Sequence, residues 1–252
     1  MPFDPIPILM YHAIETAPRP PKYKHFYVLA KEFVGQMQML RRRGYTPMSF
    51  EMLASARANR TAVLPSKPVL LTFDDGYENL FTNVHPLLCA LKFPYTVFLI
   101  SEKVGQTNDW VSAEGYEPTS LLSWPQIREM QTDPHVHFEA HTATHPRLAD
   151  LPAAQAREEL MSSKEELEQQ LQRPMTTLCY PYGSYNDTVT EIARDLGYAQ
   201  AVTTDFGRVR FADNPLHLPR ISVYHVPPVS LTYGIGPLNF LWRLESRKDS
   251  RP

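Results

Sequence analysis

The chain has 252 residues, of which 43% are hydrophobic, and this is enough apolar material for one large core or two small ones. Its 25 Lys and Arg residues against 27 Asp and Glu residues give a net charge of −2, so no overall field attracts nucleic acid or anionic lipid. No apolar stretch reaches the roughly 20 residues of a membrane-spanning helix, and residues 1–10 lack the basic start of a secretory signal. We therefore expect a cytoplasmic protein, or a processed chain, without a transmembrane span or a nucleic-acid partner.

Short apolar runs alternate with helical patterns along the chain. The runs lie at 6–11, 68–73, 95–100, 176–180 and 199–203, and apolar residues at helical spacing mark 33–40, 78–91, 152–171 and 187–196. Continuous apolar runs of this length are typical of strands that are buried on both faces. Strands that alternate with helices form a mostly parallel sheet. The sequence thus predicts one α/β domain over residues 1–252. A helix over 237–244 would pack on it, with contact to a membrane or to a second copy of the chain as alternatives, and residues 246–252 would form a frayed tail.

Three segments stand at the ends of predicted strands, at 72–77 (TFDDGY), 135–145 (HVHFEAHTATH) and 180–183 (YPYG). The carboxyl ends of parallel strands are where α/β proteins gather their chemistry, so we expect these segments to lie together. Asp74-Asp75-Gly76 is also ordinary turn chemistry. In the functional alternative the turn at Gly76 lets both carboxylates face one cavity, where a cation or a proton relieves their repulsion.

The histidines form two overlapping pairs at a spacing of four, His137 with His141 and His141 with His145. A proline directly after the second pair stops a helix, and the HExxH pattern of helical zinc proteases is absent. A strand over 136–140 would place His137, Glu139 and His141 on one face. Two imidazoles and a carboxylate commonly hold catalytic zinc, and Asp75, His141 and His145 supply that set. Such a metal suits hydrolysis of an amide or ester.

The motifs TFDDGY at 72–77, HTATH at 141–145 and YPYGSYN at 180–186 occur in the order seen in the polysaccharide deacetylases, carbohydrate esterase family 4, which the chain resembles. The resemblance implies a distorted (β/α) barrel with fewer than eight complete units. It also implies a metal-dependent hydrolase that removes N-acetyl, sometimes O-acetyl, groups from a glycan substrate. Leu9-Met10-Tyr11-His12 resembles the circularly permuted branch of the family, which includes deacetylases of poly-β-1,6-N-acetylglucosamine.

The resemblance also implies a role for each matching residue. Asp74 would be the general base, and His12 the acid that protonates the leaving amine. Pro181 and Tyr182 would line the substrate groove, and the Tyr182 backbone N–H would help to hold the oxyanion. The ligands of a divalent metal, for which we expect Zn²⁺, would be Asp75, His141 and His145.

Two departures from the commoner pattern stand out. Many members carry Arg two residues before the groove proline, where this chain has Cys179, and Arg220 is available to supply that charge from another strand. We place Arg220 with the groove residues. The second departure concerns the acid, because His225 near the C-terminus does not fit the Leu-x-x-His pattern. Trp110 is a further groove candidate that would stack on a sugar ring, with core packing as the alternative.

Two other functions stay open at this point. The same scaffold would hydrolyse formyl groups or small cyclic amides, and a metal-stabilised carbohydrate-binding protein would show no turnover at all. Because binding alone needs only the metal ligand, the presence of both Asp74 and Asp75 favours catalysis. The sequence identifies neither the glycan nor the oligomeric state.

Overall fold

The computed structural model describes residues 5–23, 25–59 and 63–225, together with Phe240 and Leu244. Within this part of the chain, strands and helices alternate as predicted. The strands are β1 (Ile8–Tyr11), β2 (Ala13–Glu15), β3 (Tyr27–Leu29), β4 (Thr46–Pro47), β5 (Pro68–Phe73), β6 (Tyr95–Leu99), β7 (Val136–Ala140), β8 (Thr177–Cys179), β9 (Gln200–Phe206) and β10 (Leu218–Ser222). The helices are α1 (Ala30–Arg42), α2 (Phe50–Ala58), α3 (Asn79–Asn83), α4 (His85–Leu91), α5 (Trp124–Met130), α6 (Ala153–Leu171) and α7 (Asp187–Asp195).

Seven parallel strands close into a barrel. The sheet runs β1-β10-β9-β8-β7-β6-β5-β4, and β1 also pairs with β5, which closes the ring and leaves β4 outside it. Leu9 of β1 is in register with Leu71 on one side and with Ile221 on the other. The predicted barrel with fewer than eight complete units is therefore confirmed.

The side chains of the barrel strands divide between two apolar clusters because neighbours along a strand point to opposite faces. Alternate residues such as Ile8, Leu70, Phe98 and Val202 pack together with α2 in one cluster. Their neighbours pack with the surrounding helices in the other cluster, which includes residues of α1, α6 and α7. All six residues of β5 are buried, as its unbroken apolar sequence predicts. Asp74 and Asp75, which follow β5, are therefore held in place by a fully buried strand.

The helical pattern over 78–91 forms two helices, not one. α3 ends before Val84 and α4 begins at His85, with Pro86 in its first turn. A proline has no N–H to donate to the preceding turn, but it fits the start of a helix. The predicted helix over 237–244 and the tail over 246–252 lie outside the described residues, apart from Phe240 and Leu244, which are buried. None of the helices described has the length and apolar character to cross a membrane.

Candidate active site

A pocket opens at the carboxyl ends of the barrel strands and brings together most of the predicted site residues. Its lining residues are His12, Phe26, Asp74, Asp75, Tyr77, Trp110, Val111, His141, His145, Tyr180, Tyr182 and Thr204. His12 follows β1, the two aspartates follow β5, and His141 follows β7. The expectation that these segments lie together is thus met by the closure of the barrel.

The loops that carry the site have unusual backbone conformations. Asp75, Thr142, His145 and Tyr182 all have φ between 57° and 71°, the left-handed region that side chains other than glycine rarely adopt. Gly76 follows with φ of 73°, and a Cβ there would lie 2.8 Å from Leu99 Cδ2. Such strain persists only where the surrounding structure holds it, and it is typical of functional sites.

Asp75, His141 and His145 form a buried cradle of metal-binding atoms. Oδ1 of Asp75 lies 3.3 Å from Nε2 of His141 and 3.5 Å from Nε2 of His145. The Nδ1 of His141 is 2.7 Å from the carbonyl oxygen of Cys179. Because a carbonyl oxygen only accepts, Nδ1 donates, and the Nε2 of neutral His141 presents a lone pair to the carboxylate. One ligand atom from each of the three residues lies within 4.8 Å of the others, so the residues fit a divalent metal.

The surroundings of the cradle favour different protonation states for its three residues. Burial alone would raise the pKa of Asp75, but the imidazoles of His141 and His145 outweigh burial and lower this pKa. Burial lowers the pKa of His145 to about 3, although the nearby carboxylates oppose this. Metals bind carboxylates and neutral imidazoles, and these are the forms that the environment favours for Asp75 and His145. Burial would lower the pKa of His141, but Cys179 and Asp75 outweigh burial and raise it, so a metal would displace a proton from this imidazole.

Asp74 is paired with a buried arginine behind the pocket. Arg220 donates from Nη1 to Oδ1 and from Nη2 to Oδ2 of Asp74, each over 2.7 Å. Burial would raise the pKa of Asp74, but the Arg220 charge and hydrogen bonds outweigh burial and lower it. The Sγ of Cys179 lies 3.2 Å from Arg220 Nη2 and 3.6 Å from Asp74 Oδ2. Arg220 thus brings positive charge to Asp74 from β10, next to Cys179.

The placement of Arg220 differs from a groove position, because its side chain is fully buried and does not line the pocket. Pro181 is also buried and absent from the lining, whereas Tyr182 next to it faces the pocket. The Tyr182 ring lies 4.6 Å from that of His145, between centroids, and the Arg147 guanidinium lies 4.2 Å from the Tyr182 centroid. Only one member of the Pro181-Tyr182 pair therefore reaches the cavity.

Trp110 and His12 stand on the pocket wall. The Trp110 ring lies 4.7 Å from the ring of His145, so this side chain is at the pocket and not only in the core. His12 is half-buried, and its ring lies 6.3 Å from that of Phe26. His12 lines the same pocket as Asp74 and Asp75.

Two other residues named from the sequence, His225 and Glu139, lie away from the pocket lining. The Nδ1 of His225 is 3.0 Å from Oε2 of Glu32, and its ring stacks on Tyr27. Glu139, which shares a strand face with His141, accepts hydrogen bonds from Arg173 and from the backbone N–H groups of 176 and 177. The imidazole of His225 is thus paired with Glu32 at the start of α1. The carboxylate of Glu139 accepts hydrogen bonds that support the fold.

The sequence did not reveal several lining residues. Phe26 precedes β3 and Val111 lies in a short 3₁₀ helix, and neither stands in a motif. Thr204 lies within β9 near its carboxyl end, so the argument from strand ends was available for it. Tyr77 and Tyr180 stand inside the quoted motifs, but their residue types alone indicate no role.

Comparisons with known proteins agree with this geometry. A family model described as polysaccharide deacetylase matches residues 61–201. The structure of the Streptococcus pyogenes deacetylase PplD in complex with acetate is 30% identical, with a TM-score of 0.74, over 87% of this chain and 92% of that one. The structure of IcaB from Ammonifex degensii is 25% identical, with a TM-score of 0.76, over 95% of this chain and 97% of that one.

A curated relative is the poly-beta-1,6-N-acetyl-D-glucosamine N-deacetylase of Staphylococcus aureus, which is 26% identical over 167 residues. The match covers 63% of this chain and 55% of the relative, so the chain spans about half of that protein. The family model covers more than half of this chain, from before β5 to the start of β9, and includes the three quoted motifs up to residue 186. The chain therefore belongs to the polysaccharide deacetylase family.

Proposed function

We propose that the chain removes N-acetyl groups from a glycan that contains N-acetylhexosamine, with Asp74 as base, His12 as acid and Zn²⁺ held by Asp75, His141 and His145. The observation that carries the proposal is the convergence of the three ligand atoms beside a second, arginine-paired aspartate in one pocket. A binding protein would need the cradle but would have no use for the second carboxylate.

Zn²⁺ bound in the cradle would lower the pKa of a water molecule and polarise the acyl oxygen of the substrate. Side chains of the protein transfer the protons. Asp74 accepts a proton from the attacking water, and Arg220 keeps the carboxylate ionised and fixed for this step. The Tyr182 backbone N–H donates to the oxygen on which negative charge develops. His12, on the wall formed by β1, donates a proton to the departing amine, so that acetate and a free amino sugar result.

The pocket walls support a sugar as the substrate. Trp110, Phe26 and Val111 provide an aromatic and apolar surface beside the polar centre. The flat face of an aromatic ring packs against the apolar face of a sugar ring. The staphylococcal relative is named for poly-β-1,6-N-acetylglucosamine, and we propose a glycan with the same sugar for this chain.

The decisive experiment measures acetate release from N-acetylglucosamine oligomers by the zinc-loaded protein. We expect a chelator to abolish release, and Asp74→Asn to lower kcat by at least about 10²-fold with zinc retained, because an amide does not accept the proton. His12→Ala should lower kcat by a similar factor, whereas His225→Ala, whose imidazole pairs with Glu32, should change it less than about tenfold. Full activity of Asp74→Asn would contradict the proposal, as would release of formate but not acetate from matched substrates.

A single catalytic domain over residues 1–252, a cytoplasmic location and the lack of a nucleic-acid partner stay predictions of the sequence. Limited proteolysis would test the first, fractionation of the source cells the second, and a filter-binding assay with DNA and RNA the third.

A further inference from the structure

The strand that follows His12 is held by two asparagines of α3. Within the described part of the chain, β2 pairs only with β3, so its other edge lacks a neighbouring strand. At that edge the Ile14 N–H donates to Asn79 Oδ1 over 3.1 Å, and Asn83 Nδ2 donates to the Ile14 carbonyl oxygen over 2.7 Å. Two side-chain amides thus take the place of a strand beside β2.

The directions of these two hydrogen bonds are fixed. A backbone N–H only donates and a carbonyl oxygen only accepts, so Asn79 must present its amide oxygen and Asn83 its amide nitrogen. Ile14 is fully buried, and buried backbone groups need partners within the protein. The two asparagines are four residues apart on α3, a spacing that places both on one face of the helix. They therefore hold one residue of β2 at two points.

The residue before His12 is tied to the same segment of the chain. The Asp74 backbone N–H donates to the carbonyl oxygen of Tyr11 over 2.9 Å. His12 thus lies between two fixed points, Tyr11 and Ile14, and both are hydrogen-bonded to residues within 74–83. Asp74, the proposed base, belongs to this segment. The spacing between the proposed acid and the proposed base therefore depends directly on these three hydrogen bonds.

We propose that Asn79 and Asn83 are positioning residues that hold the His12 imidazole where it donates to the leaving amine. The proposal rests on the function proposed above, in which His12 is the acid. As the C–N bond of the amide breaks, the nitrogen takes a proton from the imidazole, a contribution of about 10²–10⁴-fold. A displacement of about 1 Å in an active site costs up to about 10²-fold in rate. Loss of a hydrogen bond to Ile14 should therefore slow this step.

The test compares kcat of the zinc-loaded protein for two substrates, N-acetylglucosamine oligomers and p-nitrophenyl acetate. Hydrolysis of the amide needs a proton on the departing nitrogen, whereas p-nitrophenolate leaves as an anion when the C–O bond of the ester breaks. The amide-to-ester ratio of kcat therefore reports on the acid. We expect His12→Ala to lower this ratio by about 10²-fold or more, and Asn79→Ala and Asn83→Ala to lower it by about tenfold or more.

Two aspartate variants test the direction of the hydrogen bonds. Asn79→Asp keeps an acceptor for the Ile14 N–H, so its ratio should stay within about threefold of that of the parent. Asn83→Asp adds the same charge to the same helix, but it loses the donor to the Ile14 carbonyl oxygen and should lower the ratio as Asn83→Ala does. Circular dichroism and zinc affinity of each variant should match those of the parent. Equal ratios for the two aspartate variants would overturn the proposal.

A second arm asks whether the asparagines act through His12. Added to His12→Ala, Asn83→Ala should lower the ratio no further, because no acid is left to misplace. An equal further loss in that double variant would overturn the proposal, as would ratios like that of the parent for Asn79→Ala and Asn83→Ala. A ratio like that of the parent for His12→Ala would overturn the acid itself and this proposal with it. A parent protein that releases no acetate would overturn the proposed function, an outcome distinct from an unaltered ratio in the variants.

Discussion

Arg220 determines the ionisation state of its neighbour Asp74. Its side chain is fully buried, and besides Asp74 it donates to Thr203 O and to Thr72 Oγ1. A buried ion pair contributes little net stability compared with an apolar pair, but removal of one partner leaves a costly buried charge. The arginine therefore matters most for keeping Asp74 ionised. The commoner family position for this charge is occupied by Cys179, a small thiol that leaves space for the guanidinium from β10.

Arg220→Met should destabilise the protein by about 3–5 kcal/mol at about pH 8, measured by urea unfolding, because Asp74 stays buried without a partner. In the parent the pKa of Asp74 is lowered, so the stability that the pair contributes is present above the unfolded pKa and is lost as pH falls through the folded pKa. In the variant burial raises this pKa, and the penalty diminishes as pH falls through the raised value. The difference in the free energy of unfolding between parent and variant should therefore become smaller toward about pH 5. The control is the double variant Arg220→Met with Asp74→Asn. Its loss of unfolding free energy relative to the parent should be smaller and nearly independent of pH. For the single variant, a loss that does not change with pH would contradict the prediction.

The elements differ in how far the sequence predicts them. Strands such as β5 and β6 were predictable because burial on both faces requires unbroken apolar runs. Asp74 and His141 were predictable because they directly follow such strands, and the carboxyl ends of parallel strands meet at one edge of the sheet. The break at Val84 was missed, since its neighbours keep helical spacing and only Pro86 marks it. Phe26 could not be found at all, because its place at the pocket depends on the path of an irregular segment between β2 and β3.

One helix supports the loop between the two histidines of the cradle. Glu159 on α6 accepts hydrogen bonds from the backbone N–H groups of Ala143 and Thr144, over 3.1 Å and 2.9 Å, and from the Thr144 hydroxyl over 2.6 Å. The flanking residues Thr142 and His145 have left-handed φ values. A loop with this much strain needs external hydrogen bonds to keep its shape. α6 therefore contributes to the geometry of His145 from outside the pocket.

Glu159→Ala should weaken zinc binding by about tenfold or more, because the loop that presents His145 loses three hydrogen bonds. Isothermal titration of the apoprotein with zinc measures the effect. The matched control is Glu158→Ala, which removes the neighbouring carboxylate on the same helix, one that accepts from Ser162. Helical content by circular dichroism should be equal in the two variants. Equal zinc affinity for both would show that the loop keeps its shape without α6.

At the scale of the whole molecule, closure of the ring assembles the site. His12 and Asp74 are far apart in sequence, yet the pairing of β1 with β5 places the ends of these strands side by side. The backbone N–H of Asp74 donates to the carbonyl oxygen of Tyr11, which continues that pairing to the edge of the pocket. The ring is held together by backbone pairing between its strands and by apolar packing of their side chains, and neither uses the side chains of the cradle. The barrel should therefore fold without the metal.

Removal of the metal should leave the secondary structure intact and lower the unfolding temperature. A ligand that binds only the folded state, at about 100 times its Kd, adds about 2.7 kcal/mol, so zinc should raise the Tm of the chelated protein reversibly. His141→Ala should abolish this rise because it removes a cradle ligand, whereas His137→Ala, which changes a half-buried histidine outside the pocket lining, should keep it. Differential scanning calorimetry with and without zinc measures all three proteins. If His137→Ala lost the zinc-dependent rise and His141→Ala retained it, the ion would bind near the amino end of β7 and not in the proposed cradle. If the chelated parent lost its secondary structure, the metal would be part of the fold and not only of the site.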